Sequence, residues 1–459
     1  MRIDESFDLV LRELRIAGAP AAILFVDGMV KDEAMAKMLQ SFFGMTGEQR
    51  QGLPTAADFA AAALAYTEAE TAGETEKVIT AVLSGQLALL LEGYREALLI
   101  DLRTYPVRGV EEPDTDRILR GSHEGFVETL VFNTALIRRH IRDTRLTMEY
   151  RQIGCVSKTD VVMCYLEGIA EEKYLTRLRE KLNAVRIPSL ALGQESLAEC
   201  LCRRAQRYNP FPRVRYTERP DSAAAALAEG RILLIVDNSP AVMILPTALF
   251  DFVQDTNDYY FPPLVGTHLR GVRMLVFGFT SFLTPVWYLL ITHPALIPPW
   301  LEFVRITHPI QVPVLVQLLV VEVVVDAIKL ASLNTPGALS NAFGVVGTLV
   351  LGEFAVEAGL FVPEVLLYMA VVTVGTFTQP SYELGFAFKL FRLLFLLLTA
   401  LLGGWGFALG VGVMLAILAT TPTVLGNGYL YPLIPFDRVA LKRLLFRRLI
   451  YPTNSLRKR

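Results

Sequence analysis

Two acidic pairs carry the strongest chemical signal in this chain. Glu322 and Asp326 lie four residues apart, and so do Glu353 and Glu357, so each pair shares one face if its segment is helical. Both sit within long apolar stretches, and a charge at mid-bilayer costs at least about 2.5–3.5 kcal/mol. Carboxylates kept at that depth usually face a bundle interior or a water-filled path. Repeated around a symmetric oligomer, each pair would form an acidic ring, a recurring device for cation selectivity. Val345, Val346 and Leu349, just before the second pair, are the candidate apolar gate. Two plainer readings stand beside this one. Lys329 follows Asp326 by three residues and could neutralise it locally, and Glu353 and Glu357 could lie near a membrane surface.

Other chemistry is poorly supported. The five histidines (His123, His140, His268, His293, His308) show no helical metal spacing, and no G-x-S-x-G, HExxH or Walker A pattern appears. Cys200-x-Cys202 has no second pair at zinc spacing. The sequence therefore predicts no catalytic residue, no metal and no cofactor. The first 271 residues carry no strong basic excess, which gives no support to nucleic-acid binding.

The elements that must position the acidic pairs follow from a break in composition. Residues up to 271 are charged and read as a soluble domain, whereas Val272 to Pro435 read as membrane. Candidate spans are Val272–Ile291, Pro313–Leu333, the glycine-rich Leu339–Phe361, the shorter Val365–Gln379, and Phe386–Leu425. The last is too long for one helix, and Gly403-Gly404-Trp405-Gly406 could divide it. Lys389 and Arg392 would place the loop before it inside. Five prolines between His293 and Pro313 favour an external loop or re-entrant segment. Six crossings satisfy a cytoplasmic N-terminus and C-terminus; four remain open. Met1 to Val10 has no apolar run of a signal peptide, and the tail from Arg438 is basic without an acidic residue, so both ends read as cytoplasmic. That tail could also rest on anionic headgroups.

Within the soluble part, short apolar runs alternate with helical patterns, as in α/β units. Ala21–Val26, Asp27-Gly28 and a helix over Asp32–Phe43 are matched at an offset of 140 by Val161–Leu166, Glu167-Gly168 and a helix over Glu171–Leu182. The runs Leu87–Leu91 and Ala97–Leu102 are matched at an offset of 145 by Ile232–Val236 and Val242–Leu245, with Gly85 and Gly230 opening the two copies. This predicts a duplicated α/β subdomain. An amphipathic helix is expected over Phe126–Arg142, and a loop or exposed helix over residues 45–75. The resulting division is 1–142 and 143–265 as two α/β subdomains, 266–437 as a polytopic helical membrane domain of four to six spans, and 438–459 as a basic tail.

Several separated strings occur in a recognisable order. They are Glu112-Pro113-Asp114-Thr115, Arg120-Gly121, Glu124-Gly125-Phe126, Leu136-Ile137-Arg138-Arg139, Thr217-Glu218-Arg219-Pro220-Asp221 and Asp258-Tyr259-Tyr260. Over essentially the whole chain they resemble the A subunit of the GerA-type spore germinant receptors. Phe25-Val26-Asp27-Gly28-Met29-Val30-Lys31-Asp32-Glu33, Leu351-Gly352-Glu353-Phe354-Ala355-Val356 and Tyr431-Pro432-Leu433-Ile434-Pro435 resemble the branch called stage V sporulation protein AF. The resemblance implies a multi-pass protein of the inner spore membrane whose membrane domain assembles, as a pentamer, into an ion channel. It also implies other germination membrane proteins as partners. For the AF branch it implies amplified ion release with a small membrane partner. A non-conducting signalling or scaffold subunit is the competing reading, and a secondary transporter a third. The charged residues of the strings (Glu112, Asp114, Arg120, Glu124, Arg138, Arg219 and Asp221) read best as ion pairs locking subdomains or subunits together, with Pro113 and Pro220 in turns.

Overall fold

Short apolar runs bounded by turns build two five-stranded antiparallel sheets. The first contains β1 (Leu9–Ile16), β2 (Ala19–Val26), β3 (Ala69–Ala72), β4 (Leu87–Leu91) and β5 (Ala97–Ile100), in the order β1-β2-β4-β5-β3. The second contains β6 (Leu146–Ile153), β7 (Thr159–Leu166), β8 (Arg215–Thr217), β9 (Ile232–Val236) and β10 (Val242–Leu245), in the order β6-β7-β9-β10-β8. The computed structural model describes residues 3, 5–64, 68–104, 122–202, 208–334, 352, 354–426 and 428–446.

The two sheets repeat one plan. Strand β2 and helix α1 (Asp32–Gly44) recur as β7 and α6 (Glu172–Ala184). Between them lie α2 (Gly47–Gln51), α3 (Ala56–Ala63), α4 (Thr75–Leu83) and α5 (Leu130–His140). After α7 (Gln194–Leu201), helix α8 (Pro220–Ala228) with β9 and β10 repeats α4 with β4 and β5. The matching glycines end the two helices identically. Gly85 and Gly230 adopt φ of 95° and 88°, and the amides of Gln86 and Arg231 reach back to the carbonyls of Ala81 and Ala226. Such a cap needs a left-handed residue, which glycine adopts without a Cβ clash. Residues 45–75, expected as loop or exposed helix, supply α2, which buries no residue, together with α3 and β3. Pro220, expected in a turn, is the first residue of α8, where its fixed φ and missing N–H suit a helix start.

Helix α5 is shorter than its sequence pattern. The Asn133 side chain accepts from the Val127 amide at 2.8 Å, and the Phe126 amide donates to the Glu218 carbonyl at 2.7 Å, which holds residues 126–129 outside the helix. The Asp237 carboxylate then receives the Leu130 amide at 3.1 Å. Leu136 and Ile137 pack on the second sheet with Met148, Val162 and Ile235. Arg138 of α5 is fully buried and binds Asp8, just before β1, through Nε at 2.9 Å and NH2 at 3.1 Å. Ser6 completes the cluster, donating to Asp8 at 2.6 Å and accepting from the Met148 amide at 3.0 Å. The chain entering the first sheet is thereby stitched to the second.

The chain divides into two compact units. The first comprises both sheets (Met1–Ala205, Val214–Thr247) with Thr423–Asn427; the second comprises Gln206–Arg213, Ala248–Pro422 and Gly428–Arg459. Helices of the second unit are α9 (Pro263–Thr292), α10 (Val314–Asn334), α11 (Pro363–Phe377), α12 (Tyr382–Thr420) and α13 (Arg438–Leu445). Among the described residues, α9 and α12 are long and apolar enough to cross a membrane, and α11 is a shorter apolar helix. Helix α10 has the length but carries Glu322, Asp326 and Lys329. The structure thus gives two such helices where four to six crossings were expected, and most of the expected span 339–361 lies outside the described residues.

The expected break in α12 falls at Gly403, with φ 60° and ψ −139°. The chain folds back there, so a Cβ on Gly406 would collide with the Leu398 carbonyl, and Phe407 returns against Phe395 at 6.1 Å. Prolines between His293 and Pro313 leave two short 3-10 turns, Pro294–Leu296 and Pro299–Val304. The second turn is tied to α9 by the Trp287 indole N–H donating to the Val304 carbonyl at 2.9 Å.

Two outcomes test this account of the first unit. Arg138→Ala leaves Asp8 buried and unpaired, so it should cost about 3–5 kcal/mol; a wild-type denaturation midpoint for the purified chain would contradict it. Burial pushes the Glu149 carboxyl up, but hydrogen bonds from Arg179 and Tyr165 outweigh it and hold the group below the ordinary glutamate range. A depressed carboxylate stabilises above its unfolded pKa and loses that contribution as pH falls through the folded value. The stability difference between wild type and Arg179→Gln should therefore be full at neutral pH and shrink below the ordinary glutamate range, as read from thermal midpoints across acid pH.

Candidate functional site

Helix α10 holds Glu322 and Asp326 on one face, and α12 presents Lys389 and Arg392 to that face. Arg392 donates to Glu322 Oε1 through Nε at 2.8 Å and NH2 at 2.6 Å. Lys389 Nζ lies 3.0 Å from Glu322 Oε2 and also pairs with Asp326. Arg392 reaches a third helix, donating to the Thr280 carbonyl of α9 at 3.2 Å. Glu322, Lys389 and Arg392 are buried at 5%, 6% and 5% exposure, while the Asp326 side chain is 37% exposed. Two carboxylates meet two cations, so the cluster is neutral. Without that balance several kcal/mol per ion would oppose its burial.

The ion pairs of the acidic pair come from α12, while the ammonium of Lys329 lies over the rings of Phe377 and Phe386 at 4.8 and 5.8 Å. Lys389 and Arg392, read as markers of an inner loop, are buried partners of that pair. The sequence shows cations three residues apart in one apolar helix and carboxylates four apart in another, but nothing in the spacing joins them.

The remaining candidates are distributed. Glu357 is exposed on a short helical turn, Ala355–Glu357, away from the cluster's ion pairs. Glu353, Val345, Val346 and Leu349 lie outside the described residues, as do Glu112, Asp114 and Arg120. Glu124 pairs with Arg139 at 2.7 Å, and the buried Arg219 pairs with Asp221 at the start of α8. Among the described residues no group of three or more His, Cys, Asp or Glu is placed to hold a metal, and none of the four cysteines is in a disulfide.

Sequence reasoning missed a second network as a unit. Asp258, fully buried, accepts from Arg270 Nε at 3.1 Å and Arg273 NH1 at 3.0 Å, and Arg273 also pairs with Asp255 at 3.2 Å. Arg270 further donates to the Arg443 carbonyl at 3.2 Å, which anchors α13 to the start of α9. The string Asp258-Tyr259-Tyr260 and the two arginines were each visible, but nothing in the sequence spacing joined them.

A duplicated α/β unit followed by a helical unit with membrane-length apolar helices is the class of protein that this fold defines. The chain belongs to the Bacillus/Clostridium GerA spore germination protein family, whose model matches residues 1–459. It is 35% identical to stage V sporulation protein AF of Bacillus subtilis (strain 168), over 98% of this chain and 93% of that one. It is 29% identical to spore germination protein KA of the same organism, over 97% and 82%. The N-terminal domain of the A subunit of the Bacillus megaterium spore germinant receptor GerK3 is 28% identical over 52% of this chain and 89% of that one, with a TM-score of 0.41.

Glu322→Ala should leave Lys389 and Arg392 under-paired and lower the thermal midpoint of the purified chain, by about 3–5 kcal/mol of stability. Exchanging the charges, Glu322→Arg with Arg392→Glu, should recover part of that loss. A single variant as stable as wild type would remove the cluster from the helix packing.

Proposed function

We propose that this chain is a multi-pass protein of the inner spore membrane, with both termini cytoplasmic, that assembles with copies of itself as a pentamer and conducts cations during germination. In this reading it amplifies ion release together with a small membrane partner and other germination membrane proteins, and it is not an enzyme. Membership of the spore germination family supports the setting. The observation that carries the conducting role is a set of charges retained deep between apolar helices, with one member, Asp326, half open to its surroundings. Charges inside membrane segments pair with one another and mark ion pathways.

The geometry divides labour within the candidate pathway. Glu322 spends both carboxylate oxygens on Arg392 and Lys389, so it holds the helices. Asp326, which also pairs with Lys389, borders the path with Glu353 and Glu357, and Val345, Val346 and Leu349 are its candidate apolar gate. The charged strings of the soluble unit act as structural locks, as the Arg138–Asp8 pair illustrates. The neutrality of the cluster within one chain also favours a second reading, a non-conducting scaffold or signalling subunit whose soluble unit binds a partner.

Potassium flux through liposomes holding the purified full chain, with and without its membrane partner, separates the two. A channel should conduct, Asp326→Ala should reduce flux severalfold with assembly intact, and Glu322→Ala should fail at assembly. A stable oligomer that passes no ions in either preparation would overturn the conducting role in favour of the scaffold.

A further inference from the structure

Helix α13 is placed by its last turn. Arg270 NH1 donates to the carbonyls of Arg443 and Leu444 at 3.2 and 3.4 Å, and Leu444 is buried. The depth of that joint follows from α9. From Arg273 to Thr292 the helix rises about 29 Å, close to the hydrocarbon thickness of a bilayer. Along this stretch Leu275 and Phe279 are exposed, as suits a helix facing lipid. Arg270 lies almost one turn before it, so the last turn of α13 is held at the level of the headgroups.

The surface that α13 turns outward is positive and partly apolar. The helix contains Arg438, Lys442 and Arg443, all exposed, and no acidic residue. Val439 stands among them at 53% exposure, and Phe436, just before the helix, is 68% exposed. The nearby carboxylate of Asp437 is taken up as the helix cap, accepting from the Val439 and Ala440 amides at 2.8 and 3.0 Å. Arg270 and Arg273, at the same end of α9, are spent on Asp258 and Asp255. Open positive charge at this depth is therefore supplied by α13. Cations mixed with aromatic and branched apolar side chains suit the membrane interface, where the stems of Lys and Arg lie along apolar surface and their heads reach phosphate. An acidic protein surface would match the cations alone; anionic lipid matches the charge, the apolar residues and the depth together.

We propose that α13 is an interfacial helix that docks on anionic lipid, with Arg438, Lys442 and Arg443 on headgroup phosphates and Phe436 and Val439 among the outermost acyl carbons. The inference rests on the reading of α9 as a membrane span. The Arg270 joint gives the docking a consequence inside the protein. One guanidinium holds both the last turn of α13 and the buried Asp258, so a helix fixed by lipid is fixed to the base of α9 as well. Zwitterionic lipid offers the same apolar layer without net charge. Near an anionic surface each cation adds about fivefold in partition. Salt at about 1 M, with a Debye length of about 3 Å, screens that attraction.

The test uses the purified full chain in liposomes of phosphatidylcholine, alone or mixed equally with phosphatidylglycerol. A fluorescent amino acid is placed singly at Phe436 and Val439, at Leu275 as the hydrocarbon reference, and at the exposed Val156 of the β6–β7 turn as the aqueous one. Quenching is read from nitroxide-bearing lipids and from acrylamide, a neutral quencher in water. With phosphatidylglycerol, positions 436 and 439 should be quenched by lipid and shielded from acrylamide. Phosphatidylcholine alone, or about 1 M salt, should lower lipid quenching at 439 by about threefold or more. Arg438→Gln with Lys442→Gln changes two exposed side chains and should do the same with the thermal midpoint unmoved. Equal lipid quenching in both membranes, acrylamide access at 439 in both, or shielding from both quenchers, as a protein neighbour would give, each overturns the proposal while Leu275 stays embedded. Acrylamide access at Leu275 would instead remove the membrane reading of α9, and the proposal with it.

Discussion

A buried guanidinium needs a carboxylate, and this chain meets that need wherever distant segments must be joined. Arg392 finds Glu322 seventy residues away and fixes α12 to α10, with the α9 carbonyl of Thr280 taking a further N–H. Arg138 finds Asp8 across 130 residues and binds the entry of the first sheet to α5 and β6. Arg270 finds Asp258 and, across 173 residues, the carbonyl of Arg443. In each case the planar fork offers several donors at fixed angles, so one side chain satisfies a carboxylate and a backbone carbonyl together. Lysine could supply the charge but not that geometry. Such pairs add little net stability over apolar packing of the same shape, but losing one partner is costly. Their service is to specify which segments meet.

Around these joints the apolar periodicities are free to do ordinary work. The first unit's strands carry alternating or continuous apolar runs because helices cover one or both faces. Leu87–Leu91 and Ile232–Val236 read as buried strands for that reason, and their flanking glycines read as turns because a left-handed residue is required there. Both copies were therefore legible in the sequence. The hinge in α12 was legible on similar grounds, since three glycines within four residues remove the side chains that would bar a reversal.

What escaped the sequence were the partnerships. Lys389 and Arg392 have the composition of a positive-inside flank, and only the fold shows them turned toward Glu322 and Asp326. Likewise the i,i+3 position of Lys329 pointed to Asp326 but not to the rings of Phe377 and Phe386 that its ammonium also lies over. Local spacing says which side chains share a helix face; it does not say what the next helix brings. The length of α5 failed for a related reason. Its periodic pattern runs from Phe126 to Arg142, but Asn133 turns back to hold Val127, and a side chain competing for backbone amides ends a helix that propensity would extend.

The duplicated sheets show how far one backbone plan can serve two environments. Val162 and Leu233 became, at the equivalent places, Ala22 and Ala88, while Ile235 and Leu90 kept their bulk. Under α5 the larger set is fully buried and contributes roughly 1.5–3 kcal/mol for each such side chain. On the first sheet Ala88 is likewise fully buried beneath α4, whereas Ala22 is half-buried and Leu90 is 45% exposed. Leaving leucines near half-exposed on a sheet whose other face is closed by α1 and α3 forgoes that gain in the isolated chain. Solubility alone would have favoured polar side chains at Leu11 and Leu90, as it did at Glu13 between them and the rim.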